Sequence, residues 1–183
     1  MNIILFFDRV VRKLQLEYRK YVFRKSIGCK HKDFSIIGKI TLINKNISLG
    51  HHVTIYPDVM LFGDGPIVIG DNVDIGNGTL LYSSRNGGGI TIGDNSMIAA
   101  QSFIIDADHG TSLNGLIRNQ KNSVAPVSIG EDVWIAAGCK ILKGATIHNG
   151  AVIGASSVVK GEIPENAIAV GIPAKVKKYR EKI

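Results

Sequence analysis

The chain has 183 residues, 45% of them hydrophobic and only 7% aromatic, with 21 glycines and a net charge of +7. The charge excludes a dispersed nucleic-acid-binding surface: residues 1–32 hold nine Lys/Arg against two acids, residues 175–183 hold five against one, and the stretch between sums to −4. Two cysteines, Cys29 and Cys139, are too few for a disulfide framework and suggest a reducing compartment. The apolar run Ile3–Phe7 is far short of the roughly 20 residues of a membrane span and lacks a leader's cleavage site, so a cytoplasmic protein is expected.

Asn2 to Ser26 reads as a helix, with Val10, Leu14, Tyr18, Tyr21 and Val22 on one stripe, basic residues among them, and Gly28 as its stop. Two roles fit it. As a cap it buries Val10, Leu14 and Tyr18 against the first turn of the following domain. As a basic amphipathic helix it contacts an anionic membrane, which would bring the protein to the inner membrane face. The cap is the primary expectation.

From about Ser35 the sequence acquires a period of six, clearest from Val127 to Val159. Aliphatic residues fall at Ile129, Ile135, Ile141, Ile147, Ile153 and Val159, and small or branched ones two positions earlier, at Val127, Val133, Cys139, Ala145, Ala151 and Ser157. A helix or a free-standing strand produces neither spacing. Short strands with an inward pair, each followed by a corner, produce both, and such a period marks a repeat architecture. Upstream, the same reading puts Ile37, Ile43, Leu49, Ile55 and Leu61 inward, then Ile69, Ile75 and Leu81, then Ile92, Ile98 and Ile104. Gly-Asp-Asn at 70–72 and 93–95 and Gly-Glu-Asp at 130–132 are corner sequences.

The phase slips between Leu61 and Ile69, Leu81 and Ile92, and Ile104 and Ile129. With three faces per coil, all three insertions leave from one corner on successive coils, and insertions gathered on one side of a solenoid mark its binding side. The longest has the length of a functional loop. After the Ile163-Pro164 and Ile172-Pro173 breakers, residues 176–183 read as a short basic tail, helical or frayed.

These repeats resemble the hexapeptide-repeat acyltransferases, in particular the sugar and polysaccharide O-acetyltransferase branch. The resemblance runs over about residues 35–178. It implies an all-β solenoid, a left-handed parallel β-helix of about six coils with an N-terminal α-helix and a short basic C-terminal tail. The left hand comes from the family; the general crossover rule favours the right. The implied organisation is a helix and lead-in over 1–34, the β-helix over 35–163 with its loop at 105–126, and an extension over 164–183.

His109 stands at the mouth of the longest insertion, between acids and glycine in Asp106-Ala107-Asp108-His109-Gly110. Acyl transfer needs a base near neutral pH, and imidazole supplies one. In the family pattern the base follows the Ile of Ile-Gly-Asp-Asn by seventeen residues, the interval from Ile92 to His109. Asp106 and Asp108 are candidates to orient the imidazole or bind acceptor hydroxyls. Tyr82, Ser84, Arg85 and Asn86 of the preceding insertion, with Asn77, are candidates for a saccharide acceptor. The other histidines, His31, His51, His52 and His148, do not match the spacing of the zinc carbonic anhydrases that use this solenoid, so no metal is expected.

The resemblance further implies acetyl-CoA as co-substrate, lying in a groove between subunits of a homotrimer. The matching positions are Ala137 and Ala155 for the pantetheine backbone contacts, and Lys175 and Lys178 for the phosphates. Lys160 is displaced by one from the family's usual lysine. Trp134 should point outward, towards a second subunit or the coenzyme. The implied activity is acetyl transfer to a sugar hydroxyl or amine in polysaccharide biosynthesis. A xenobiotic (antibiotic) acetyltransferase and a non-catalytic solenoid for binding or scaffolding are the alternatives.

Overall fold

The computed structural model describes residues 3–181. A helix at Ile3–Ser26 leads into a parallel β-solenoid of three sheets. Sheet A stacks Phe34–Ile36, Val53–Ile55, Asp74–Ile75, Met97–Ile98, Trp134–Ile135, Val152–Ile153 and Ala167–Val170. Sheet B stacks Thr41–Leu42, Met60–Gly63, Leu80–Ser83, Phe103–Ile105, Lys140–Ile141 and Val158–Val159. Sheet C stacks Ile47–Leu49, Ile67–Ile69, Ile90–Ile92, Val127–Ile129, Thr146–Ile147 and Glu162–Ile163. The chain passes A to B to C six times, and the strand at 167–170 opens a further coil.

The period of six becomes three columns of buried side chains. From Val127 to Val159 every expected inward position is at most 1% exposed. Each enclosed aliphatic side chain contributes on the order of 1.5–3 kcal/mol. Inward hydroxyls bond the backbone of a neighbouring coil: Ser96 Oγ donates to Gly130 O at 2.9 Å, Thr79 Oγ1 to Ala99 O at 3.2 Å, and Ser157 Oγ accepts the Gly171 N–H at 3.0 Å. The C-to-A corners carry left-handed residues, His52, Asn72, Asn95, Asp132 and Asn166. Side-chain oxygens there stitch coil to coil, as Asp94 Oδ1 does in accepting the Asp71 N–H at 2.7 Å.

The first coil departs from the expected phase. Ile37 and Ile43 point outward, and Ile36 and Leu42 pair with Ile55 and Leu61 instead. The extra residue is absorbed at 43–46, where Asn44 turns fully inward. Its amide donates to Gly65 O at 2.9 Å, and its Oδ1 accepts the Asn46 N–H at 2.7 Å. Phe34 can then meet Phe23 of the helix, ring centroids 5.7 Å apart.

That contact is also where the helix caps the solenoid. Phe23 is buried, whereas Val10, Leu14 and Tyr18, expected in the cap, are exposed. Asn2 lies outside the described residues. The helix stops as expected, with Gly28 at φ +68° and the Cys29 N–H reaching back to Arg24 O.

At the other end the tail is neither helical nor frayed. Lys175–Tyr179 forms a strand antiparallel to Ala167–Val170, and Arg180 Nη1 meets Asp132 Oδ2 at 2.7 Å. A last parallel strand left open would be a template for aggregation; a covering strand rich in lysine removes it.

Candidate active site at the B-to-C corner

Three insertions leave between sheets B and C on consecutive coils. The register puts Leu61, Leu81 and Ile104 in one column and Ile69, Ile92 and Ile129 in the next. The longest is drawn into a hairpin at its base, where Ala107 and Asp108 pair antiparallel with Val124 and Ser123. Further out, Gln120 ties the loop to itself, bonding both the N–H and the carbonyl of Ser112 at 2.8 Å. Leu113, Leu116 and Ile117 are left exposed at its tip.

His109 is exposed at the mouth of this hairpin. It lines a cleft of about 370 Å³ together with Tyr82, Ile105, Ala107, Asp108 and Asn122. Asn122 also borders a second cleft of about 490 Å³ with Ser84, Asn86, Gln120 and Lys121. The geometry therefore brings together His109, Asp108, Tyr82, Ser84 and Asn86, across two stacked insertions.

Other expected residues are elsewhere. Asp106 is fully buried. Its Oδ1 accepts the Ser84 N–H at 2.7 Å, and its Oδ2 accepts from Ser83 Oγ at 3.0 Å and the Gly89 N–H at 3.2 Å. The carboxylate braces the neighbouring insertion, because the loop's inward amides need an acceptor where no strand supplies one. Arg85 turns back one coil, Nε 2.7 Å from Asp64 Oδ2. Asn77 is on the A-to-B corner, in the column that continues through Ala100, Ala137 and Ala155. There the carbonyls of Asn77, Ala100 and Ala137 accept from Gln101, Gly138 and Ser156.

Two contributors were not read from the sequence. Asn122 has no signal in a loop of mixed composition. Lys143, at the same corner one coil on, bonds both legs of the hairpin: its Nζ is 3.1 Å from Asp108 Oδ2 and 2.8 Å from Ser123 Oγ. Its position at the corner of the next repeat could have drawn attention to it. Lys160 is exposed at that corner on the last full coil, and Lys175 and Lys178 are exposed on the terminal strand.

Outward residues differ by sheet. Sheet A aligns Met97, Trp134 and Val152, with Trp134 47% exposed. Sheet B aligns Met60, Leu80 and Phe103. Sheet C is largely polar, with Thr91, Ser128, Thr146 and Glu162 in line. Among the described residues no group of three or more His, Cys, Asp or Glu side chains is disposed to hold a metal ion. His148 instead meets Glu162 at 2.7 Å, and His51 and His52 share Asp33.

Residues 126–161 match the family model described as bacterial transferase hexapeptide (six repeats). The chain is 36% identical over 150 residues to the dTDP-4-amino-4,6-dideoxy-D-glucose acyltransferase of Escherichia coli, covering 75% of this chain and 73% of that protein. This chain belongs to the hexapeptide-repeat transferases. Another member, the E. coli K12 protein named "Putative lipopolysaccharide biosynthesis O-acetyl transferase WbbJ", is 37% identical over 127 residues, or 64% of this chain and 63% of its own length. The chain thus spans just under two thirds of that relative. Among solved structures, the N-acyltransferase AntD from Bacillus cereus, as a D94N mutant in complex with dTDP and coenzyme A, superposes with a TM-score of 0.74 at 27% identity. The match covers 82% of this chain and 83% of that one. The winding is the left-handed parallel β-helix of this family, as expected.

Proposed function

We propose that the protein is an acetyl-CoA-dependent acetyltransferase that modifies a hydroxyl of a sugar or saccharide in polysaccharide biosynthesis, with His109 as general base. The observation that carries this reading is the cleft shared by His109, Tyr82 and Asn122 at the corner where all three insertions gather. The imidazole removes the proton from the acceptor hydroxyl as its oxygen attacks the thioester carbonyl. The carbon–sulfur bond breaks, the acetyl ester forms, and the coenzyme thiolate leaves to take up a proton. Asp108 is held by Lys143 beside the imidazole. Asn86 and Ser84 offer amide and hydroxyl groups suited to a saccharide.

The coenzyme would run along the A-to-B corner, where the small residues Ala137 and Ala155 leave backbone accessible. Trp134, Lys175 and Lys178 are its further candidate contacts on the same chain, whereas Lys160 and His109, at the B-to-C corner, would approach it from the neighbouring subunit. Such a groove needs a second wall. The apolar parts of the outward columns, Met97, Trp134 and Val152 on sheet A and Met60, Leu80 and Phe103 on sheet B, with Leu113, Leu116 and Ile117 of the loop tip, would supply surface for two neighbours in a closed homotrimer. The polar sheet C would face solvent.

An amine acceptor is the second reading, favoured by the similarity to AntD, whose name is that of an N-acyltransferase. An acceptor panel of free sugars, sugar nucleotides and amino sugars, read by release of free thiol from acetyl-CoA, separates the two. Turnover with hydroxyl acceptors supports the proposal. Turnover with amines alone replaces it, and acetyl-CoA binding without turnover points to a non-catalytic solenoid.

A further inference from the structure

The N-terminal helix carries its apolar stripe on the side away from the solenoid. Successive residues turn by about 100°, so Phe7, Val10, Val11, Leu14, Tyr18 and Tyr21 share one face, and each is well exposed. Phe23, the residue that holds the helix to the first coil, points in the opposite direction and is buried. Tyr18 borders a cleft with Ile40 and Leu42 of the first coil, while Phe7, Val10, Val11 and Leu14, nearer the start of the helix, are exposed.

Charge selects the occupant. Arg9, Arg12, Lys13 and Arg19 lie on the face opposite the stripe, so the helix is apolar on one side and basic on the other. The helix holds seven Lys/Arg against Asp8 and Glu17. Asp8 is already paired with Arg12 at 2.8 Å. A second copy packed on the stripe would leave this basic face without an anionic partner. An anionic lipid surface complements it and accepts the aromatic and aliphatic stripe into its headgroup boundary. No helix among the described residues is long and apolar enough to cross a membrane, so the geometry suits lying on a bilayer. The body supports the same orientation, because residues 33–174 sum to −4 and would be repelled from the surface that attracts the helix.

We infer that this outward face of the N-terminal helix docks the protein on an anionic bilayer surface, leaving the solenoid projecting into the aqueous phase. The inference is independent of the acyl-transfer reading. The test is co-sedimentation of the full chain with vesicles of equal parts phosphatidylcholine and phosphatidylglycerol, against pure phosphatidylcholine, at low and high salt. Binding is expected only to the anionic vesicles and should weaken with salt. The double substitution Phe7→Ser with Leu14→Ser should abolish it with an unchanged melting temperature. Arg12→Gln with Lys13→Gln should weaken it roughly thirtyfold. Absence of binding at low salt, or equal binding by the serine variant, overturns the inference. So does a fall in oligomer mass on serine substitution with no vesicle binding by the parent, which would assign the stripe to a second copy.

Discussion

Asp106 Oδ1 accepts the backbone N–H of Ser84 at 2.7 Å, joining two insertions that are 22 residues apart in sequence and one coil apart in space. The same carboxylate holds Ser83 and Gly89, so one buried side chain shapes the whole 83–89 loop. Asp106→Ala would leave the Ser84 and Gly89 amides without this acceptor, at about 1–3 kcal/mol each, while Ser83 Oγ keeps Pro66 O. The expected outcome is a fall in stability of roughly 2 kcal/mol or more, read from the urea midpoint, with a raised Michaelis constant for the acceptor. Gly87→Ala should act in the same direction, since a Cβ there would meet the Asp106 carboxylate. An unchanged midpoint in Asp106→Ala would show that the loop is held by other contacts.

His109 is exposed and sits in the cleft without a structural role in the core. His109→Ala should keep the parent melting temperature and coenzyme A binding while turnover falls by roughly two to four orders of magnitude, the usual effect of a positioned base. Retention of more than a third of the activity would remove the assignment.

Lys143 acts on the same hairpin from outside the cleft. Lys143→Met releases Asp108 and Ser123 together. A partly exposed ion pair contributes at most about 1 kcal/mol, so stability should barely change. Turnover should drop by about tenfold, because a hairpin that is free to shift misplaces the base. Lys143→Arg should recover much of it. Equal activity in the Met variant and the parent would make the lysine a surface residue only.

Cys139 is fully buried, its thiol donating to Gly154 O at 3.2 Å, and burial pushes its pKa up from the ordinary value. The folded state therefore holds the thiol proton more tightly than the unfolded chain. Its contribution is complete below the unfolded thiol's pKa of about 8.5 and is lost as pH rises from there through the folded value. The difference in unfolding free energy between the parent and Cys139→Ala should accordingly narrow between about pH 8 and pH 10. A difference that stays constant across this range would contradict it. In the native state Cys139 should also resist alkylation that modifies the half-buried Cys29.

The repeat made most of this protein legible in one dimension. A period of six admits one arrangement of inward columns, and each coil stacks on the last in register. The interval between Ile104 and Ile129 therefore determines the corner from which the His109 loop leaves. The corner sequences were equally local, because the left-handed backbone of Asn72 and Asn95 is a property of those residues in a tight turn. What the tertiary structure decided lay where periodicity ends. Ser35-Ile36-Ile37 offers two isoleucines to one core position, and only the meeting of Phe34 with Phe23 selects Ile36. Asp106 and Asp108 are indistinguishable as letters near a histidine. One faces inward to unpaired amides of the preceding coil and the other outward to Lys143, a choice made by strand alternation at a hairpin that the sequence does not announce. The tail became a strand for a related reason: an open sheet edge is satisfied by whatever chain is at hand, and that demand is invisible in the composition of residues 175–179.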